Sequence, residues 1–526
     1  MRVECLFQFT MKFSFLILSA CVLGQLSTAS ADWPQWRGPD RNGSADASSE
    51  LPDQLTEENA PVKLWESAGI PSDKDGGHGS VAIADGQVFI SVVWHRNEPT
   101  ETRQIDKDVL STLGHRGTTG LDPEIVEKME ADRIGLSSRT RGAALDEWAN
   151  EWIESNLDKK TQLSLGSWIK SRFIKGQAAI PLSVFDTLLT APKEPFANQK
   201  ALEAWVELQN FEPALKAQIL SAVPNTKKVA DDVVLCLNAE TGEQIWKFSN
   251  PGSPSGRSSS STPAVADGRI YAALSDNLYC LDVSTGEEVW KAPLTGKKGP
   301  ASSPLVYEGK VYLQQGVLSA FDTLTGEELW QNKDVSTSNP SPSLWEGVIL
   351  CNSKGKLLGV DAYSGATLWS VPGGGDGTPV VSGDIVVISS SLEGKNLIGY
   401  RMTDTSPSEI WSLDFLARRY GSSPIIYDGH VYYLGSERHS CISLESGEIQ
   451  WEREAQSSIS SPLIADGKLL VYENKGGFAA IIEATPEEYR NLGKTKIGAL
   501  FCASPALVGR DLFLRTTESI ACYRFP

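Results

Sequence analysis

Histidine and cysteine are scarce, five and eight in 526 residues. The histidines show no HxxxH or HxH spacing and no CxxC or CxxCH occurs, which excludes covalent haem and the common zinc modules. No P-loop and no Ser-His-Asp constellation is visible, and Gly373-Gly374-Gly375 falls in a loop, not a strand–helix turn. Beyond Gly24 no apolar run approaches the ~18 residues of a membrane span. Basic residues are outnumbered, 48 Lys and Arg against 66 Asp and Glu, and the net charge of −18 argues against nucleic acid or an anionic membrane as partner. With 40% hydrophobic and 22% charged residues, the chain is globular.

The one apolar run is Phe13–Gly24, preceded by Lys12 and followed by Ala29-Ser30-Ala31, a small-x-small cleavage site. Residues 1–31 therefore read as a signal peptide, with the mature chain starting at Asp32 and exported to the periplasm or cell envelope. Leu18-Ser19-Ala20-Cys21 also resembles a lipoprotein box, which would leave Cys21 lipidated. The soluble, cleaved form is favoured because Cys21 lies inside the apolar run. Of the later cysteines, Cys236, Cys280, Cys441 and Cys522 occupy equivalent repeat positions, too far apart around a ring to pair, and read as buried thiols.

What is abundant is a hairpin. LDVSTGEEVW (Leu281–Trp290) recurs as LNAETGEQIW (Leu237–Trp246), FDTLTGEELW (Phe321–Trp330), VDAYSGATLW (Val360–Trp369) and SLESGEIQW (Ser443–Trp451). Each is an apolar run, a small-residue–Gly turn and a second run ending in Trp. Its period of roughly 40 residues is that of a radial β-array. Eight strand-pair openings follow one another from His78 to Ser504, each with a small-polar or Pro segment before its first strand. The eighth repeat is one strand short at Phe525, and Val62–Glu66 supplies a lone strand with the same Trp ending. The expected fold is all-β: an eight-bladed β-propeller of four-stranded antiparallel blades, closed by that N-terminal strand. The fifth repeat replaces its turn with Asp404–Ser408, and the seventh lacks its Trp.

Between residues 97 and 230 the strand signal stops inside the first blade. Asp122–Leu136, Arg141–Leu157, Leu163–Ile174, Asn198–Gln209 and Pro213–Val223 carry apolar residues at helical spacing, predicting an α-helical insertion. The chain thus divides into 1–31, an N-terminal segment 32–96 with the closing strand and the start of the first blade, the insertion 97–230, and the remaining propeller 231–526.

The Asp, Thr-Gly and terminal Trp of these hairpins, with the opening Asp32-Trp33-Pro34 … Arg37-Gly38, resemble the repeat of the pyrroloquinoline-quinone (PQQ)-type propellers. That family includes quinoprotein alcohol dehydrogenases and BamB-like assembly lipoproteins. The resemblance covers all but the signal and the insertion, and implies that Trp246, Trp290, Trp330, Trp369, Trp411 and Trp451 pack between blades. For an enzyme it implies PQQ, Ca²⁺ held by oxygen ligands and an Asp base. The family's alcohol dehydrogenases clamp the cofactor with adjacent cysteines, and no such pair exists here. Residues before each first strand should line the central funnel; the charged or basic ones are His78, Arg257, Asp376, Arg418 and Arg419, with Glu437 or Glu473 approaching from neighbouring loops. No catalytic residue, metal ligand or cofactor contact is assigned. The expected function is a non-catalytic, monomeric scaffold binding a protein partner. The alternatives are a PQQ- and Ca²⁺-dependent dehydrogenase of alcohols or sugars, and a propeller binding carbohydrate or another small ligand.

Overall fold

The structure, a computed structural model, describes residues 32–72, 76–118, 121–137, 139–255, 259–403, 406–415, 422–435 and 437–526. The signal peptide with Cys21, the funnel candidates Arg257, Arg418 and Arg419, and part of the irregular fifth turn lie outside the described residues.

Eight four-stranded antiparallel sheets follow one another along the chain in the arrangement of a β-propeller. The first comprises Ala82–Ala84, Gln87–Pro99, Thr226–Asn238 and Gln244–Gly252. The eighth comprises Ala506–Val508, Asp511–Arg515 and Ile520–Arg524, with Val62–Glu66 paired as its fourth strand, Val62 opposite Arg524. The first turn of six sheets is Asp-Gly or Glu-Gly, as at Asp267-Gly268 with φ of 51° and 70°. Two successive positive φ angles make the type I′ turn whose twist matches the flanking strands. In the later hairpin the Asp282 carboxylate accepts from the backbone N–H groups of Ser284 and Thr285, both at 3.0 Å, and so shapes the turn before Gly286.

A tryptophan and a small residue face each other in these hairpins. Cys236 stands opposite Trp246, Cys280 opposite Trp290, Ala320 opposite Trp330, and Gly359 opposite Trp369. Gly399 faces Trp411, Cys441 faces Trp451, and Cys522 faces Trp65. The small partner leaves room for the indole to lie across the strand. In the seventh sheet, where Gly493 takes the Trp position, the facing residue is Ile481, so volume is exchanged across the pair. Each indole then reaches the following sheet. Trp65 Nε1 donates to Ala239 O (2.9 Å), Trp246 to Val283 O (3.1 Å), and Trp290 to Thr323 O (3.0 Å). Trp330 donates to Tyr363 O (3.1 Å), Trp411 to Leu444 O (2.7 Å) and Trp451 to Thr485 O (2.8 Å). The turn glycine of the next sheet lies under the ring: a Cβ on Gly326, whose φ is +73°, would sit 2.5 Å from the Trp290 indole.

At the axis the sheets are joined by hydroxyls. Ser80 N–H donates to Thr262 Oγ1, Thr262 N–H to Ser303 Oγ and Ser303 N–H to Ser341 Oγ, at 2.9–3.1 Å. Thr378 N–H donates to Ser423 Oγ, Ser423 N–H to Ser461 Oγ, Ser461 N–H to Ser504 Oγ, and Ser504 N–H back to Ser80 Oγ, at 2.8–3.0 Å. At the remaining junction the Thr378 hydroxyl accepts from Trp36 Nε1 at 2.9 Å. All but Ser80 precede a proline, which holds them extended.

Residues 33–50 run across this ring and bond to every sheet. Trp33 exchanges two backbone bonds with Ile83 (2.9 Å each), Pro34 O accepts from Val265 N–H (2.8 Å), and Ile464 bonds Gly43 and Ala45. Glu50 N–H donates to Gly509 O at 3.0 Å. Side chains serve the rest. Arg41 donates to Ser303 O, Pro304 O and Pro342 O (3.1, 2.7 and 2.9 Å), Arg37 to Pro424 O (2.7 Å), and Trp36 to Thr378. Both guanidiniums are buried, and burial pulls each down to about 9, Arg37 helped by the neighbouring charge of Arg41. They remain protonated at neutral pH, and backbone carbonyls that accept from all three Arg41 nitrogens and from Arg37 Nη2 supply part of the compensation usually made by carboxylates.

The insertion is narrower than the 97–230 read from sequence. The strand pair continues to Pro99↔Thr226, so the helices occupy the span between, raised on an extended two-stranded hairpin. The strand signal is hidden there because Arg96, Asn97 and Lys227 face solvent where only two strands of the sheet continue. The five expected helices are Pro123–Gly135, Ala143–Asn156, Lys159–Lys175, Gln199–Leu208 and Pro213–Ala222. Two short ones escaped the periodicity, Lys107–Thr112 and Leu182–Leu188, each too brief to show a repeat. Two small cores hold them, one around Met129, Trp152, Ile169 and Phe173, the other around Phe185, Leu202, Val206 and Ile219. Glu130 bridges buried Arg133 and Arg172, both at 2.7 Å.

Trp290→Ala is expected to destabilise the protein by about 3–5 kcal/mol through the cavity it leaves. Gly326→Ala should destabilise it too, because both its φ and its space are denied. Urea denaturation followed by fluorescence measures both, and midpoints unchanged from the parent would contradict this account of the blade junction.

Candidate funnel site

The first strands open onto a cavity of about 450 Å³ at the propeller axis. Its lining combines the residues expected before each first strand with the hydroxyl ring beneath them. His78, Ser260, Ala301, Asn339, Asp376, Ile459 and Cys502 form the wall, and Ser303, Ser341, Thr378, Ser423 and Ser461 lie deeper. Trp36, half-buried, lines the same cavity from the segment that crosses the axis. Of the five funnel candidates, the structure therefore brings His78 and Asp376 together, the other three lying outside the described residues. His78 N–H donates to Ser260 Oγ (3.2 Å) and its ring meets Phe501 edge-on at 5.8 Å. Asp376 Oδ1 accepts from Asn339 Nδ2 at 3.3 Å.

Glu437 and Glu473 do not approach the funnel. They line a separate charged cleft between the sixth and seventh sheets with Arg438, Glu452, Arg453 and Lys494. Lys494 Nζ pairs with Glu473 at 3.4 Å, and Arg438 pairs with Glu452. His439 is buried at the edge of this cleft against Ser457 Oγ (2.6 Å), and burial lowers it to about 4.

A quinone cofactor with Ca²⁺ needs several oxygen ligands, a carboxylate base and planar groups on both cofactor faces. Among the described residues the funnel offers one carboxylate, Asp376, and one aromatic platform, Trp36. No group of three or more His, Cys, Asp or Glu side chains is placed to hold a metal among the described residues. This donor set does not fit that cofactor. Sequence reasoning missed Trp36, because a Trp within Asp32–Pro39 reads as part of a turn-rich lead-in. It also left Trp65 out of the inter-blade set, although Trp65 occupies the same relation to Cys522 and Ala239 as the later Trp residues do to theirs.

Residues 230–415 and 373–491 match a family model described as "Outer membrane protein assembly factor BamB". Curated relatives of that description include one from Salmonella typhimurium, 28% identical over 191 residues, covering 35% of this chain and 46% of the relative. Another, from Yersinia pestis, is 24% identical over 200 residues, covering 34% and 49%. The chain spans less than half the length of these curated relatives. Similar solved structures include BamB from Moraxella catarrhalis (16% identity, TM-score 0.32, 56% of this chain and 82% of that one). Quinohemoprotein alcohol dehydrogenase from Comamonas testosteroni is another (12% identity, TM-score 0.45, 57% and 72%). Hairpins of this pattern and a family model matching residues 230–491 support a PQQ-like, BamB-like repeat family for this part of the chain.

Proposed function

We propose that this protein is an exported, non-catalytic propeller that serves as a protein-interaction scaffold of BamB-like architecture. The observation that carries the reading is the helical insertion, which stands on its own ribbon and leaves Ile134, Ile174, Leu189 and Leu208 exposed. Aliphatic surface of that kind on a rigid ring is suited to capturing another polypeptide. The relatives named as outer membrane assembly factors support a partner in the cell envelope. No helix among the described residues is long and apolar enough to cross a membrane, so a peripheral position, reached through the N-terminal signal, is the one proposed. We further infer that pairing of Val62–Glu66 with Ile520–Arg524 closes the ring, since it joins the two ends of the repeat array in one sheet.

Affinity purification from solubilised envelopes tests the scaffold, comparing the full protein with one in which residues 100–225 are replaced by a short turn. A defined partner retained by the first and lost by the second is expected. A stoichiometric spectral change with PQQ and Ca²⁺, together with a raised melting temperature, would instead establish the dehydrogenase. The intact mass of the envelope form should correspond to a start at Asp32; a lipid-modified Cys21 would make it an anchored protein. Removing residues 62–66 should lower the unfolding midpoint sharply, and an unaltered midpoint would refute closure by that strand.

A further inference from the structure

The funnel carries a ligand chemistry of its own, independent of the scaffold reading. At its floor the Trp36 indole is fixed by the bond from Nε1 to Thr378 Oγ1 (2.9 Å) and is only half-buried, so it offers an aromatic surface to the cavity. Above it stand the hydroxyls of Ser303, Ser341, Ser423 and Ser461. Each already accepts a backbone N–H from the residue two before a neighbouring first strand, which engages one oxygen lone pair and leaves the O–H to donate and the other lone pair to accept. The wall adds Asp376 and Asn339, linked at 3.3 Å, which supply acceptors and a further amide donor.

Charge narrows the choice. A cation entering the funnel is opposed by the buried guanidiniums of Arg37 and Arg41, which lie in the same axial segment as Trp36. An anion meets the Asp376 carboxylate, the charged group among the described lining residues besides the titratable His78 and Cys502. A neutral molecule avoids both penalties. It must present groups that donate and accept at once, and an apolar face for the indole. Vicinal hydroxyls on a ring whose C–H bonds line one side meet these demands together, and a volume of about 450 Å³ is suited to a mono- or disaccharide.

We propose that the funnel binds a neutral saccharide, one ring stacked on Trp36 and its hydroxyls shared between Asp376, Asn339 and the serine ring. No chemistry on the sugar is implied. The site is distinct from the protein-binding insertion, so its failure would leave the scaffold reading intact.

Isothermal titration of the full chain with D-glucose, N-acetyl-D-glucosamine and maltose tests the proposal. A second readout lies in the cavity itself: Cys502 lines it and is half-buried, whereas Cys236, Cys280, Cys351, Cys441 and Cys522 are buried. Saturable binding of at least one sugar is expected, with alkylation of Cys502 by iodoacetamide slowed in its presence. Trp36→Ala and Asp376→Ala should each weaken binding by about tenfold or more. Asp376 is exposed, so its variant remains informative if loss of Trp36 disturbs the axis. Absence of saturable heat with all three sugars up to about 50 mM would overturn the proposal, since that ceiling already admits very weak sites. Binding that is indifferent to Asp376→Ala and leaves Cys502 alkylation unchanged would overturn it too, by placing the sugar elsewhere.

Discussion

The structure depends on how eight short inner strands satisfy their backbone at the axis. An inner strand is a sheet edge, and its N–H and C=O groups would be buried unpaired without a partner. Here the partners are of two kinds. At seven of the eight junctions a serine or threonine hydroxyl accepts the N–H of the residue two before the neighbouring inner strand, and the single chain segment from Trp33 to Glu50 bonds to all eight sheets. Each such bond is worth about 0.5–1.5 kcal/mol, but leaving a buried group unmade costs more than a bond returns, so the ring is closed or penalised as a unit.

The segment solves a geometric problem. A linear chain can run alongside only a few of eight radially placed strands, so backbone pairing serves the first, second, seventh and eighth sheets. The third, fourth and sixth are reached by Arg41 and Arg37, whose guanidiniums span from one carbonyl to the next, and the fifth by Trp36. Burying two cations without carboxylates is costly, and the carbonyl acceptors offset part of that cost, more fully at Arg41 than at Arg37. The same arrangement determines the funnel: its floor is whatever the crossing segment presents, which is an indole. Outside, the indoles between blades hold neighbours together, so the ring is a stiff platform for a helical insertion that shares no core with it.

Much of this was legible in the chain. The Asp-Gly and Thr-Gly turns and the terminal Trp mark hairpins because both turn and strand preferences are local, and counting them yields eight sheets of four strands. The Trp–Cys facing follows from the fixed register of those hairpins. The seventh sheet shows the rule by exchange, Gly493 against Ile481. What stayed hidden is non-local. Nothing near Arg37 and Arg41 distinguishes two buried cations from surface residues in a turn-rich lead-in, since their acceptors lie hundreds of residues away. The serine ring read only as small polar residues before each strand. The solvent-facing ribbon at Arg96–Pro99 lost its alternation and shifted the insertion boundary. Of the funnel, the wall was readable from strand order, whereas the floor was not.

The central claim is that the axial segment holds the inner strands, and hydrogen exchange followed by mass spectrometry tests it most directly. The comparison is between the parent protein and an Arg37→Met, Arg41→Met variant, which keeps side-chain length and removes the donors. Exchange should accelerate by about tenfold or more in Leu305–Tyr307, Ser343–Trp345 and Ile425–Tyr427, with the insertion helices unchanged. Equal protection of those three strands in both proteins would contradict the account and leave the hydroxyl ring and the indoles as sufficient to hold the propeller together.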